Sequence, residues 1–212
     1  MRKIMTINPK GGCGKTTLAT NMASYFVQEG YNVTLADYDL QQSSMDWLKV
    51  RPEEYPDIHG IDATSGPVKA PRSTNFLIMD APAAVHGAEL AEMVKKAETL
   101  VIPVLPSPVD MRACAHFIKE LLTVGKVSRK QTRMVVVANR AREYTIAYHQ
   151  LEAFLGALKI PFITTLRDSQ SYIRAADQGL GIFELAPSSV YTDLEQWEPL
   201  VRWLKSKRSI PA

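Results

Sequence analysis

Apolar residues along this chain gather in short continuous runs separated by stretches of helical period. Ile4–Ile7, Val33–Ala36, Asn75–Met79, Leu100–Leu105 and Met134–Ala138 are the clearest runs, and a shorter one lies at Ile58–Ile61. Runs that are apolar at every position, not at alternate ones, predict strands buried on both faces, which is the signature of a parallel sheet covered by helices. Helical periodicity is expected over Thr16–Gln28, Val109–Thr123 and Ile146–Leu158. The alternation predicts one α/β domain over residues 1–212, a mostly parallel twisted sheet with helices on both faces. The segment between Ile58–Ile61 and Asn75 is short, so a turn is expected there and no helix.

Near the C-terminus, Val190, Leu194, Trp197, Val201 and Leu204 recur at i, i+4, i+7, i+11 and i+14, a stripe suited to docking on a core. Pro199 lies within it and predicts a kink or two shorter helices, because proline removes one helical hydrogen bond. The same tail mixes apolar residues with Arg202, Lys205, Lys207 and Arg208, leaving a basic exposed face.

The polar residues that interrupt this pattern fall at the C-terminal ends of the strands. Asp37 and Asp39 follow the second run, Asp80 ends the strand from Asn75, and Asn139 ends the strand from Met134. Open α/β sheets bind ligands along that edge. After the first strand comes "NPKGGCGKTT", Asn8 to Thr17, leading into a helix. It departs from the usual phosphate-loop spacing, with Pro9 where the first glycine stands, but the strand–loop–helix context is that of a phosphate cradle. Gly11, Gly12, Cys13 and Gly14 let backbone N–H groups turn inward, and the helix N-terminus adds its dipole. Lys15 is expected to reach the β/γ-phosphates, Thr16 to ligate Mg²⁺, and Thr17 to complete the cradle.

Composition narrows the field only modestly. Of 212 residues, 46% are apolar and 22% charged, as in an ordinary soluble domain. No apolar run approaches the roughly 20 residues that span a bilayer. The N-terminal "MRKIMTI" runs straight into the loop, so no signal peptide and a cytoplasmic site are expected. Two cysteines, Cys13 and Cys114, exclude a disulfide framework and paired cluster ligands. His59, His86, His116 and His149 have no metal-ligand spacing, and Ser43 and Ser44 read as helix caps. A net charge of +3 allows an anionic partner without requiring one.

Lys10, ahead of the glycines, is not needed to bind phosphate. "KGGCGKTT" resembles the deviant Walker A loop of the ParA/MinD family of ATPases, most like the small ParA-type partition and positioning members without an N-terminal DNA-reading domain. "DYDLQQSSMDW", "FLIMDAPA", "VIPVLPSPVDMRA", "VVVANR" and "TTLRDSQSYIRAADQGLGIFEL" extend the resemblance along nearly the whole chain. It implies a P-loop NTPase fold, ATP and Mg²⁺ as cofactors, and an ATP-bound homodimer in which Lys10 crosses to the partner's phosphates. It further implies that Asp39 orients the attacking water, Asp37 supports the Mg²⁺ shell, Asp80 holds a Mg²⁺-bound water and Asn139 reads the adenine edge. Leu40 replaces a usual proline, and Ala83 and Ala84 stand where proline or glycine is more usual. Arg167 and Arg174, then Lys205, Lys207 and Arg208, are the candidates for sequence-independent DNA contact. The implied role is partition or positioning of a cargo on the nucleoid, with hydrolysis stimulated by a cargo adaptor. Two alternatives stay open: a metabolic enzyme using the same loop on a small substrate, and a MinD-like membrane-associated ATPase.

Overall fold

Every strand among the described residues runs the same way. The computed structural model describes residues 1–124, 127, 131–158 and 160–211. Among them, strands β1 (Arg2–Thr6), β2 (Val33–Asp37), β3 (His59–Asp62), β4 (Phe76–Asp80), β5 (Thr99–Val104), β6 (Arg133–Ala141) and β7 (Phe162–Arg167) form one sheet ordered β3-β2-β4-β1-β5-β6-β7. All six pairings are parallel. Residues 63–75 join β3 to β4 without a helix, as expected.

Successive strand residues point to opposite faces, and each face has its own core. Ile4, Leu35, Ile78, Val101, Val135 and Leu166 meet helices α1 (Lys15–Gln28), α2 (Ser43–Lys49) and α7 (Pro187–Lys205) on one side. Met5, Met79, Leu100, Ile102 and Val136 meet α3 (Gly87–Lys96), α4 (Pro108–Thr123) and α5 (Ile146–Ala157) on the other. A short helix α6 (Gln170–Asp177) follows β7. No helix among the described residues is long and apolar enough to cross a membrane.

Two local expectations are corrected. The tail stripe docks as predicted, with Val190, Trp197, Val201 and Leu204 buried, but the helix passes through Pro199 and is broken at Val190 (φ −133°, ψ 17°). Pro199 lies on the exposed side, so the carbonyl it leaves unpaired one turn back, on exposed Glu195, can turn to solvent. Strand β6 continues past Ala138 through Asn139 and Arg140, whose polarity hides the extension from an apolar count.

Candidate nucleotide site

Thr6, Asp37 and Asp80 stand at one level on three adjacent strands, where β1, β2 and β4 end together. The phosphate-type loop leaves this level and enters α1 through Gly14. Gly12 (φ +72°) and Gly14 (φ +99°) are left-handed, a conformation that strains any side chain bearing Cβ. A Cβ on Gly14 would also sit 2.0 Å from Asn139 Nδ2. Asn8 anchors the front of the loop: its Nδ2 donates to the Pro103 carbonyl (2.6 Å), and its Oδ1 accepts from the Lys10 amide (2.9 Å). Cys13 is buried as a small filler, its Sγ 3.2 Å from the Lys10 carbonyl, and burial raises its pKa.

The two lysines have different surroundings. Lys15 is buried, and its Nζ donates to the Lys10 carbonyl at 3.0 Å, folded into the mouth of the loop. The Lys10 ammonium is half-exposed and has no hydrogen bond or ion pair among the described residues. One cation is therefore engaged within the loop, and the other has no partner among the described residues.

Asp80 is the most perturbed acid. Burial drives its pKa up to about 6, opposed by hydrogen bonds from Thr16 and Ser44 and by the Lys15 charge. Ser44 Oγ donates to Asp80 Oδ2 at 2.8 Å, and Thr6 Oγ1 to Oδ1 at 3.3 Å. Ser44 is thus not a helix cap: Gln42 takes that position, and Ser44 is fully buried against the acid. Asp37 lies at the base of the same turn. Its Oδ1 accepts the Asp39 amide (3.0 Å) and its Oδ2 the amides of Ser44 (2.8 Å) and Met45 (3.4 Å), which holds the start of α2. Burial raises its pKa, and those amides pull it back. In this arrangement Asp37 sets the position of Ser44. Asp39 is half-exposed, accepts the Gln41 amide (3.0 Å), and has no cation beside it among the described residues.

Asn139 is brought to the site, where its Nδ2 donates one N–H to the Cys13 carbonyl at 2.8 Å, leaving the second N–H and Oδ1 for a base. It braces the loop from the end of β6. The Ala83–Ala84 turn closes the opposite side: the Ala84 amide donates to the Pro9 carbonyl (2.9 Å) at a left-handed φ of 60°. Among the described residues, the four non-glycine residues with positive φ, namely Gln42, Ala84, Arg140 and Tyr144, follow or end strands on this edge. Such strain persists where surrounding structure over-determines it, as at ligand sites. The most exposed large apolar residues, Tyr144 (94%), Leu40 (84%) and Ile146 (79%), ring the same edge.

The basic candidates divide. Arg167 makes a two-point pair with fully buried Asp193 (2.7 and 2.8 Å), which raises its pKa, so its charge is already neutralised. Lys205 is held by Glu29 (2.6 Å) and Tyr25, which push its pKa up to about 12. Neither is a free phosphate contact. Arg174, Lys207 and Arg208 are exposed and have no acidic partner among the described residues. Arg174 follows β7 at the C-terminal edge, whereas Lys207 and Arg208 directly precede Ser209, which bonds Arg2 and Thr99 at the opposite edge. They do not form one basic face.

Asn8 and Ser44 are the residues a motif reading misses. Each is visible in sequence only as a small polar residue beside a recognised motif, and each works through a partner 36 to 95 positions away.

Residues 4–182 match the family described as the CobQ/CobB/MinD/ParA nucleotide binding domain. The chain is 27% identical over 185 residues to maintenance of carboxysome distribution protein A of Halothiobacillus neapolitanus, covering 84% of this chain and 85% of that protein. Among solved structures, an ATP complex of a Cyanothece McdA variant superposes with a TM-score of 0.71 at 16% identity, covering 95% of this chain and 96% of the other. Cobyrinic acid a,c-diamide synthase of Mycobacterium smegmatis, with bound ADP and magnesium, gives 0.67 at 16% identity over 100% of this chain and 99% of the other. At those identities the two structures show the fold.

Proposed function

The chain belongs to the CobQ/CobB/MinD/ParA nucleotide-binding family, and on that premise we propose that it is a ParA-type ATPase that positions a cargo. In this reading ATP and Mg²⁺ are its cofactors. It forms an ATP-sandwich homodimer, the dimer binds DNA without sequence preference, and a cargo adaptor stimulates hydrolysis and release. It acts in the cytoplasm on the nucleoid, as a soluble domain and not a membrane-associated one. Support for the positioning role comes from the carboxysome-distribution relative, which matches over most of both chains.

The residues at the sheet edge fit Mg-ATP. The left-handed glycines open the loop backbone toward an anion, and buried Lys15 lies in its mouth. Gly11, Gly12, Cys13, Gly14, Lys15, Thr16 and Thr17 would cradle the phosphates, with Asn139 bracing the loop. Thr16 and Asp80, held by Ser44, would hold Mg²⁺, directly or through its waters. Bound there, Mg²⁺ offsets charge on the β- and γ-phosphate oxygens. Asp39, with no cation beside it, orients the attacking water, and Asp37 positions α2. Lys10 supplies a cation to the partner subunit's phosphates, as arginine fingers do elsewhere.

The observation that carries the dimer reading is the unpartnered Lys10 ammonium at the front of a loop already equipped with Lys15. The exposed apolar ring of Leu40, Tyr144 and Ile146 on the same edge suits a face-to-face contact. Light scattering with Mg-ATP tests it. Lys10→Ala is expected to bind nucleotide but remain monomeric, and Asp39→Ala to accumulate as an ATP-bound dimer. Normal dimerisation by the first together with normal hydrolysis by the second overturns the mechanism. The likeness to cobyrinic acid a,c-diamide synthase keeps a metabolic reading in play; ATP turnover on a small carboxylate or amine, indifferent to DNA, would establish it.

A further inference from the structure

Away from the nucleotide, at the N-terminal edge of the sheet, two adjoining hollows share Ile163, Trp203 and Arg208. One, of about 490 Å³, is walled by Leu122, Met134, Ile160 and Pro161. The other, of about 440 Å³, continues past Phe162 and Pro199. Together they make a groove with an apolar floor across the starts of β6 and β7 and the end of α7.

Its rim is cationic and uncompensated. Arg208 is exposed and has no acidic partner among the described residues. Among the described residues the Arg133 guanidinium bonds only a carbonyl, that of Ile210 (3.2 Å). Only Arg202 is neutralised, by Glu198. A concave apolar floor of this kind serves neither a phosphate backbone, which needs a row of cations, nor a bilayer, which needs an outward-facing apolar surface. It suits a chain with an apolar side chain to bury and carboxylates to place on the rim.

We propose that this groove is the docking site for an acidic peptide segment of a partner protein, anchored by one or two large apolar side chains between Arg133 and Arg208. Asn139, at the nucleotide loop, and Arg133, at the groove, are six positions apart on β6, about 20 Å at ~3.3 Å per residue. A partner seated here therefore leaves the nucleotide edge open, and docks equally on either nucleotide state. Identifying that partner as the cargo adaptor rests on the positioning reading; the chemistry of the groove does not.

Selection of a short random-peptide display library on the full chain is expected to return Leu, Phe or Trp flanked by Asp and Glu. The best synthetic peptide should lose about tenfold in affinity, by fluorescence anisotropy, on Arg208→Glu and on Leu122→Glu. Both positions are exposed, Leu122 by 47%, and thermal melts check that the variants fold. Lys15→Ala and added Mg-ATP should leave peptide affinity unchanged, so failure of the ATPase reading and failure of the groove are separate results. Selected peptides without acids or an apolar anchor, or equal affinity for both variants, overturn the proposal. It also fails if Arg208→Glu instead cuts retention of a random-sequence DNA duplex or of phosphatidylglycerol vesicles while peptide affinity holds.

Discussion

Removing Glu184 should loosen the nucleotide site from a distance. Its side chain is fully buried, and the side chain of its partner Arg51 is 5% exposed, with contacts of 2.5 and 3.0 Å. Glu184 also accepts the Gly181 amide (2.8 Å) and Gln28 Nε2 (3.0 Å). The pair ties the end of α2 to the 179–184 segment, seconded by Trp47 Nε1 on the Leu180 carbonyl (3.1 Å). That segment is fixed to α1 through the Ile182 amide on Asn21 Oδ1 (2.6 Å). Glu184→Ala leaves the Arg51 guanidinium buried without a counter-charge, a loss of about 3–5 kcal/mol for a buried pair. At roughly 2–4 °C per kcal/mol for a chain of this size, the melting midpoint should fall by about 6–20 °C. Burial alone would raise the Glu184 pKa, but Arg51, the Gly181 amide and Gln28 more than offset it and leave it below the ordinary value. Its folded pKa is therefore below its unfolded one, so the stabilisation is complete above an unfolded value of about 4.3 and fades as pH falls through the folded value. The gap between wild type and variant should be widest near neutral pH and narrow below about pH 4. Calorimetric melts across pH test this. The double replacement Arg51→Met with Glu184→Leu should recover most of the loss, because neither charge remains. A single-variant midpoint within about 2 °C of wild type, or a gap that widens in acid, refutes the reasoning.

Ser44→Ala removes the 2.8 Å bond into buried Asp80, a charged-group bond of about 1.5–3 kcal/mol, and should weaken ATP binding with Mg²⁺ while leaving Mg²⁺-free binding unchanged in calorimetry. Gly14→Ala combines a left-handed φ with a Cβ 2.0 Å from Asn139 Nδ2, so nucleotide binding should be lost in calorimetry while folding stability falls by only about 1–2 kcal/mol of backbone strain plus the cost of the displaced side chain. Arg174→Ala should weaken retention on unrelated DNA duplexes equally and flatten the salt dependence. Arg167→Ala should instead lower the melting midpoint by stranding buried Asp193, and a DNA defect in Arg167→Ala without any stability loss would reverse that assignment.

What the sequence discloses and what it hides divide along a physical line. The loop, the acids Asp39 and Asp80 and the central strands are legible because their information is local: glycine where φ is positive, unbroken apolar runs where both faces are buried. Strand β7 is not, because Thr164 and Thr165 interrupt an edge strand that is only half-buried. The commitment of Arg167 to Asp193, of Lys205 to Glu29 and of Asn139 to the Cys13 carbonyl depends on partners 26, 176 and 126 positions away. A basic residue and an amide look equally free in sequence whether or not such a partner waits. Pro199 does not break the last helix because it lies on the side that faces solvent, which sequence alone does not show.

The all-parallel sheet also sets a clock on biosynthesis. No strand pairs with a near neighbour through a hairpin, and β1, the first made, sits fourth in the sheet order and waits for both companions. Arg2 meets Phe76, and Ile4 meets Thr99. At about 5–20 residues per second, the ribosome takes roughly 4–15 s to deliver the first of these partners. Throughout that interval the apolar run Ile4-Met5 and the glycine loop behind it are uncovered. The Cys13 carbonyl waits longer still, until Asn139 emerges 126 residues later, about 6–25 s at the same pace. The nucleotide loop is thus the first working part to be synthesised yet waits for more than half the chain before it is braced, so the nascent chain's need for shelter falls on its own functional centre.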